Sequence, residues 1–290
     1  MKTVMLFLSE MRVKQWTKNF LVFAAPMFNG TLFNPDVFAV TLAAFFAFCM
    51  AGSGIYIIND IYDLDKDRLN PAKSHRPLAS GKIGVAPALA CSVICLALGI
   101  AVSFAVNIYC FYILASYVLI NLLYTVKLKH VVIIDVMIIA YGFVARSVYG
   151  AEASGVKMTT WFILCVMFLS LFLALGKRRY ELAELQNHTI SKGRDVLKYY
   201  SLSLIDHMMN ITTSGLVMSY ALFTMDSSTR NNQAMAMTIP IVIYGIFYYL
   251  YVLHVKNEGG SPDEELYKEK PILITVVVYA LFVIAVRNIL

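Results

Sequence analysis

The sequence predicts an all-α protein whose helices cross a membrane many times. Of its 290 residues, 59% are hydrophobic and 14% are charged, and the mean hydropathy is +0.69. Soluble domains contain about 45–50% apolar and about 25% charged residues. A soluble protein of this composition would expose far more apolar surface than water tolerates. The composition therefore predicts a polytopic membrane protein.

Charge-poor runs, long enough for helices of about 20 residues, predict about nine membrane spans. In chain order they cover residues 19–35, 37–59, 83–126, 131–150, 158–176, 207–225, 231–255 and 271–286. The run 83–126 is long enough for two spans, with a turn near Asn107.

The placement of Lys and Arg predicts the orientation. If the N-terminus is cytoplasmic, twenty of these residues lie on the cytoplasmic side and three lie outside. Because cytoplasmic loops carry an excess of Lys and Arg, we expect a cytoplasmic N-terminus in the cell (cytoplasmic or inner) membrane. The same excess explains the net charge of +6, so we predict no nucleic-acid partner.

We expect residues 1–290 to form a single transmembrane domain. Residues 1–18 carry several charges and lack the long apolar core of a signal peptide. They could form an interfacial amphipathic helix, with Val4, Leu8, Met11 and Trp16 towards the lipid and Lys14 and Lys18 towards the headgroups. Two predicted cytoplasmic loops, residues 59–82 and 177–206, stand out among the polar segments, and we expect the functional site there. Homo-oligomerisation is left open.

The densest polar signal lies at the end of the second span. If the helix continues there, Asp60, Asp63 and Asp67 share one face over two turns, whereas Asp65 points away. Like charges in this arrangement repel one another and need a cation. Carboxylate oxygens suit Mg²⁺, which often also binds a phosphate oxygen. The pattern predicts a metal–diphosphate site, and the alternative is a solvated acidic helix end.

Basic residues near the predicted loops could bind phosphate or could only mark the cytoplasmic side. An arginine can clamp a phosphate with two hydrogen bonds. Glu181 lies one helical turn after Lys177, so both share a helix face, and Glu181 could contact a hydroxyl group of a ligand whose phosphate the neighbouring cations bind. The candidates are Arg76 in the first loop, Tyr124 and Lys129 before the fifth span, and Lys177, Arg178, Arg179 and Glu181 in the second loop.

The fifth span contains Asp135 and Arg146. Helix geometry places them on one face but about 16 Å apart, so they are not expected to pair. Ionisable groups inside a span are costly and usually line a cavity. We therefore expect the helices to surround a central cavity.

The acidic motif Asn59-Asp60-x-x-Asp63-x-x-x-Asp67 resembles the NDxxDxxxD motif of the UbiA superfamily of intramembrane prenyltransferases. This resemblance implies a UbiA-like fold, catalytic roles for the three aspartates, and Asn59 as a further Mg²⁺ ligand. The sequence departs from the family after the sixth span, where the DxxxD motif is replaced by residues 177–182. This departure argues against a prenyl diphosphate donor.

Within the superfamily, nearly the whole chain is similar to the decaprenyl-phosphate phosphoribosyltransferases. The similarity rests on residues 14–19, the aspartate motif with residues 75–77, and residues 128–130, 177–182 and 260–265. It implies that Lys14, Lys18, Asn19 and Tyr180 also belong to the substrate site, and leaves Glu181 or Glu184 as the ligand from the second loop.

The resemblance implies a Mg²⁺-dependent transfer of 5-phosphoribose from phosphoribosyl pyrophosphate (PRPP) to a polyprenyl phosphate, with release of pyrophosphate. Arg146, Lys18 or Lys129 could bind the acceptor phosphate. The alternatives are an aromatic prenyltransferase with a prenyl diphosphate donor, and a transporter or lipid-binding protein. The missing DxxxD pair disfavours the aromatic prenyltransferase. The charge-free third and fourth spans disfavour the transporter or lipid-binding protein.

Overall fold

The computed structural model describes residues 2–71, 73–187, 194–226, 232–260 and 268–288. Within these residues the regular structure is entirely helical, as the sequence predicts. The α-helices are α1 (Lys2–Glu10), α2 (Ala24–Asn29), α3 (Pro35–Tyr62), α4 (Leu64–Arg68), α5 (Val85–Val106), α6 (Ile108–Val126), α7 (Ile134–Ser154), α8 (Thr160–Gln186), α9 (Leu202–Met225), α10 (Asn232–Ala236), α11 (Ile239–Tyr251) and α12 (Lys270–Asn288). Further helical turns are the 3₁₀ segments Val13–Phe23, Leu128–His130 and Asp195–Tyr199, and the π-helical turn Val252–Lys256.

Among the described residues, six helical segments are long and apolar enough to cross a membrane. They are α3, α5, α6, α7, α8 and the segment Ala234–Lys256. A shorter apolar stretch, Lys270–Val286, lies within α12. A multi-pass helical membrane protein is thereby confirmed. The count of nine spans, the cytoplasmic N-terminus and the central cavity stay predictions.

Polar side chains at the N-termini explain where several helices begin. Asn34, Asn107, Thr159 and Ser201 each accept a hydrogen bond from a backbone N–H two or three residues later. Such caps satisfy the N–H groups that have no partner inside the helix. Asn107 separates α5 from α6, so the predicted turn at this residue is confirmed.

The N-terminal region differs from the prediction. Residues 1–18 do not form one helix, because α1 ends at Glu10 and Arg12 adopts the left-handed conformation, with φ 52° and ψ 49°. The predicted first span, residues 19–35, is likewise divided between the 3₁₀ segment and the short helix α2. Helix α2 ends at Asn29, and the next residue, Gly30, has a φ of 73°. Left-handed residues interrupt a right-handed helix. The interfacial position of residues 1–18 stays a prediction.

The chain forms two compact units that interleave along the sequence. Unit 1 comprises Met1–Pro26, Leu32–Leu128 and Ala145–Lys157, and unit 2 comprises Met27–Thr31, Lys129–Val144 and Met158–Leu290. In unit 1, α3 packs against α5, α6 and the first 3₁₀ segment. In unit 2, α8 packs against α9, and α11 packs against α12. The expectation of a single domain over residues 1–290 stays a prediction.

Two helices extend beyond the predicted spans and carry the candidate residues. Helix α3 continues to Tyr62 and therefore includes Asn59 and Asp60. Helix α8 continues to Gln186, so the start of the predicted second loop is helical. Asn59 and Asp60 in α3, and Lys177, Arg178, Tyr180 and Glu181 in α8, are thus held by regular helix rather than by loops.

Candidate active site

The aspartate motif does not follow one continuous helix. Helix α3 ends at Tyr62, Asp63 has φ −93° and ψ 10°, and α4 begins at Leu64. The predicted continuous helix is therefore wrong, because it is interrupted at Asp63, and the position of Asp63 on one face with Asp60 and Asp67 stays a prediction. Within the part of the chain that the structure describes, no group of three or more acidic, histidine or cysteine side chains is gathered in a way that could hold a metal ion.

Two carboxylates of the motif, Asp60 and Asp67, are instead gathered around one arginine. Arg76 Nη1 lies 2.9 Å from Asp60 Oδ1 and 2.6 Å from Asp67 Oδ2. Lys73 Nζ lies 3.1 Å from the other oxygen of Asp67. Both carboxylates are buried, with 3% of their side chains exposed, which explains the need for close cationic partners. Asp65, by contrast, is 96% exposed, in agreement with its predicted position off the site.

Arg12 is a second arginine at Asp60, and the sequence analysis did not single it out. Its guanidinium donates a hydrogen bond to Asp60 Oδ1 and lies over the ring of Tyr56, 4.9 Å from the centroid. Burial lowers the pKa of Arg12, but attraction and hydrogen bonding to Asp60 outweigh this effect, and the net pKa is raised. The contact joins residues 48 positions apart, so no local pattern reveals it.

The segment around Arg12 is fixed by hydrogen bonds to α3. Ser53 Oγ donates to the carbonyl oxygen of Met11 at 2.9 Å and accepts from the indole N–H of Trp16 at 3.1 Å. Leu6 and Phe7 of α1 pack against a buried apolar cluster that includes Ile57, Leu78, Ile83 and Ala88. These contacts hold Arg12 at Asp60.

Glu10 brings a further carboxyl group close to this site. Its Oε2 accepts a hydrogen bond from the backbone N–H of Leu78 at 3.2 Å, and its Oε1 is buried with no hydrogen-bond partner among the described residues. Burial, assisted by the negative charge of Asp60, raises the pKa of Glu10.

Arg146 and Asn19, predicted separately as substrate residues, contact each other inside unit 1. Arg146 Nε donates to Asn19 Oδ1 at 2.7 Å, and Nη2 donates to the hydroxyl of Tyr117 at 2.9 Å. The guanidinium also lies over the rings of Phe48 and Tyr117, at 5.3 and 5.0 Å. Arg146 is thus oriented by both hydrogen bonds and aromatic rings.

In unit 2, Arg178 is completely buried and is held by two carboxylates. Its Nε lies 2.8 Å from Asp135 Oδ2, and its Nη1 lies 2.8 Å from Glu181 Oε2. Arg194 also pairs with Glu181, at 3.3 Å. The prediction that Asp135 and Arg146 do not pair with each other agrees with these contacts. In this arrangement Arg178 contacts Glu181, and its predicted role in substrate binding stays a prediction.

Tyr200 extends the Asp135 network and was missed by the sequence analysis. Its hydroxyl donates to Asp135 Oδ1 and accepts from the backbone N–H of Ile133, both at 2.8 Å. Ile133 has φ 70°, an unfavourable conformation for a β-branched residue. Burial, followed by the hydrogen bond to Asp135, raises the pKa of Tyr200.

The remaining candidates lie at partly exposed positions. Lys14 is exposed, whereas Lys18, Asp63, Tyr124, Lys129, Lys177, Tyr180 and Glu184 are half-buried. Parts of two predicted features, residues 188–193 of the second loop and residues 261–265 of the acidic stretch, lie outside the described residues.

Solved structures show which fold this chain adopts. A UbiA homologue from Archaeoglobus fulgidus, bound to GPP and Mg²⁺, matches with a TM-score of 0.73 and 19% identity, over 97% of this chain and 99% of that chain. A structure of digeranylgeranylglyceryl phosphate synthase matches with a TM-score of 0.71 and 20% identity, over the full length of both chains. The architecture is therefore that of the UbiA-type membrane proteins.

The family follows from sequence. The model of the UbiA prenyltransferase family matches residues 20–263, and the chain belongs to this family of membrane transferases. It is 33% identical to a decaprenyl-phosphate phosphoribosyltransferase of Corynebacterium glutamicum, over 96% of this chain and 85% of that protein. It is 30% identical to the protein of the same description from Mycolicibacterium smegmatis, over 92% of this chain and 87% of that protein.

Proposed function

We propose that the protein transfers 5-phosphoribose from PRPP to a polyprenyl phosphate of the decaprenyl type, at the cytoplasmic face of the membrane and with Mg²⁺. The names of its two relatives support this reaction class. The observation that carries the proposal is the gathering of Asp60 and Asp67 with Arg12, Arg76 and Lys73. This set contains both oxygen ligands and cations, which a metal–diphosphate complex requires.

Two converging carboxylates fit a divalent cation whose other ligands are supplied by phosphate oxygens of the donor. Asp60 and Asp67 both reach one central position, which the Arg76 guanidinium takes in this structure. Carboxylate oxygens are the ligands that Mg²⁺ prefers, and Asn59 and Asp63 are candidates for further contacts. When bound there, Mg²⁺ would offset the negative charge of the leaving diphosphate.

The cations of the cluster account for binding of the donor. Three cations, Arg12, Arg76 and Lys73, lie at Asp60 and Asp67, so a polyanionic ligand bound there would contact several positive charges. Arg76 can donate two parallel hydrogen bonds to phosphate oxygens, and Lys73 acts as a point charge. We therefore propose that Arg76 binds the leaving diphosphate.

The reaction needs positioning more than proton transfer. An oxygen of the lipid phosphate forms a bond to C1 of the ribose, and the bond between C1 and pyrophosphate breaks. Because the lipid phosphate is already a nucleophile, no general base is required. The site's contribution is then orientation and stabilisation of charge.

The other candidates keep proposed roles in substrate binding. Arg146 is preferred for the acceptor phosphate because its guanidinium is already oriented by Asn19 and Tyr117. Glu181 is preferred over Glu184 as the second-loop ligand because Arg178 and Arg194 both hold it. The remaining candidates for contacts to phosphate or ribose are Lys14, Lys18, Tyr124, Lys129, Lys177, Arg178 and Tyr180.

The test is a competition between donors in nanodiscs. Labelled PRPP and a labelled prenyl diphosphate are each supplied with polyprenyl phosphate and 4-hydroxybenzoate, with Mg²⁺ or with EDTA. We expect label to pass from PRPP into the lipid, and EDTA to abolish this transfer. Label that instead passes from the prenyl diphosphate to the aromatic acceptor would establish the aromatic prenyltransferase and overturn the proposal.

A further inference from the structure

We propose that Arg12 is a built-in competitor of the divalent cation at Asp60. Its guanidinium neutralises Asp60 in the metal-free enzyme and leaves this carboxylate when the cation binds. This inference rests on the proposed function, because that function supplies the cation. It assigns a role to a residue that lies outside the aspartate motif and on a different segment of the chain.

Arg12 and the cation would both bind the Asp60 carboxylate. Asp60 Oδ1 accepts hydrogen bonds from Arg12 and from Arg76 Nη1. Only 3% of the Asp60 side chain is exposed, so little of this carboxylate remains for a further ligand. A divalent cation beside an arginine also meets like-charge repulsion. Binding of the two cations at Asp60 is therefore expected to be mutually weakening.

Arg12 can also leave without moving its segment. The Arg12 side chain is 24% exposed, so its guanidinium has a route to solvent that Asp60 lacks. The backbone on either side is held independently, because Ser53 binds both the Met11 carbonyl and the Trp16 indole. The displaced guanidinium would remain at the edge of the site, where it can bind a phosphate oxygen.

A competitor and a merely structural residue give opposite results when Arg12 is removed. If Arg12 only orients Asp60, its loss weakens metal binding. If Arg12 competes, its loss strengthens metal binding. Titration with the metal alone separates the two roles, since no donor is present that could itself bind arginine.

The experiment measures Mn²⁺ affinity by the electron paramagnetic resonance signal of the free ion, in nanodiscs without donor or acceptor. We expect Arg12→Gln to bind Mn²⁺ at least about fivefold more tightly than the wild type, the lower range of couplings between sites. Arg12→Lys keeps the charge, and its Mn²⁺ affinity should lie between those of the wild type and Arg12→Gln. Arg68→Gln is the matched control, because Arg68 is 53% exposed and pairs with the exposed Asp65. It should keep the wild-type affinity.

A second measurement uses the unaltered protein, in case Arg12→Gln does not fold. Phenylglyoxal modifies accessible arginines, and mass spectrometry gives the rate at each residue. We expect saturating Mg²⁺ to speed modification of Arg12 at least about fivefold and to leave Arg68 unchanged.

The outcomes separate this inference from the proposed function. If the wild type binds Mn²⁺ but Arg12→Gln binds it equally or more weakly, the competitor role is overturned and the metal-dependent reaction stands. An Arg12 modification rate that Mg²⁺ leaves unchanged or lowers has the same meaning. If the wild type binds no divalent cation without donor, the competitor role is overturned, and the proposed function is decided separately by the donor competition with Mg²⁺ or EDTA.

Discussion

Arg178 and Asp135 form an ion pair in which both side chains are completely buried, with Arg178 Nε 2.8 Å from Asp135 Oδ2. The pair joins the beginning of α7 to the C-terminal half of α8 in unit 2. A buried pair adds little net stability compared with apolar residues, because both charges lose their hydration. Removing one partner is costly, however, since the other charge is left buried alone.

Arg178→Met is therefore expected to destabilise the protein by roughly 3–5 kcal/mol. The measurement is thermal unfolding in detergent. The double variant Arg178→Met/Asp135→Asn should recover part of the loss. Arg179→Met is the matched control, because Arg179 pairs with Asp206, whose side chain is 35% exposed, and its loss should cost less. An Arg178→Met variant as stable as the wild type would contradict the importance of the pair.

Asp67→Asn is expected to lower PRPP-dependent transfer by about 100-fold, as is common when a group that serves a metal site is lost. Asn keeps the size of the side chain but removes the charge that binds Arg76 and Lys73. The measurement is the initial rate of label transfer to lipid at saturating Mg²⁺. Asp65→Asn makes the same change at a side chain that is 96% exposed, and should keep the wild-type rate. An equal loss of transfer rate in both variants would contradict the assignment of Asp67 to the site.

Glu10→Gln is expected to reduce the dependence of stability on pH. Burial raises the pKa of Glu10 above its ordinary value of 4.5, so the folded state holds this proton more tightly than the unfolded chain. The stabilisation is complete below the ordinary value and is lost as pH rises through the raised pKa. Thermal unfolding at pH 5 and pH 8 should therefore show a smaller decrease for Glu10→Gln than for the wild type. Identical decreases in thermal stability would show that the fold does not shift the pKa of Glu10.

Gly150→Ala is expected to destabilise unit 1 by about 1–3 kcal/mol or more, the usual cost of overpacking. A Cβ at this residue of α7 would lie 1.9 Å from the carbonyl oxygen of Val22, in the backbone of the 3₁₀ segment. Gly52→Ala in α3 is the control, because nothing lies within 4 Å of the added atom. Alanine there should be neutral or stabilising by up to about 1 kcal/mol, since it favours a helix. Thermal unfolding of both variants measures the difference in stability. Equal stabilities would show that the 3₁₀ segment shifts to make room for the added Cβ.

Local features were predictable because they depend on neighbouring residues. Charge-poor runs identified most of the long helices, and Asn107 marked the turn between α5 and α6. The aspartate motif directed attention to Asp60 and Asp67. The break at Asp63 was not predictable, because the motif's spacing is compatible with a continuous helix. Asp60 and Asp67 nevertheless meet at Arg76, as a shared face predicts.

The sequence by itself determined that the protein is helical and lies in a membrane, because apolar composition and charge spacing decide which solvent each segment tolerates. Only the tertiary structure decided the partners of its charged groups. Arg12 reaches Asp60 across 48 residues, and Arg178 reaches Asp135 across 43. Such pairs depend on how helices distant in the chain pack. A charge buried by that packing must find its partner there, and no local pattern records which partner it finds.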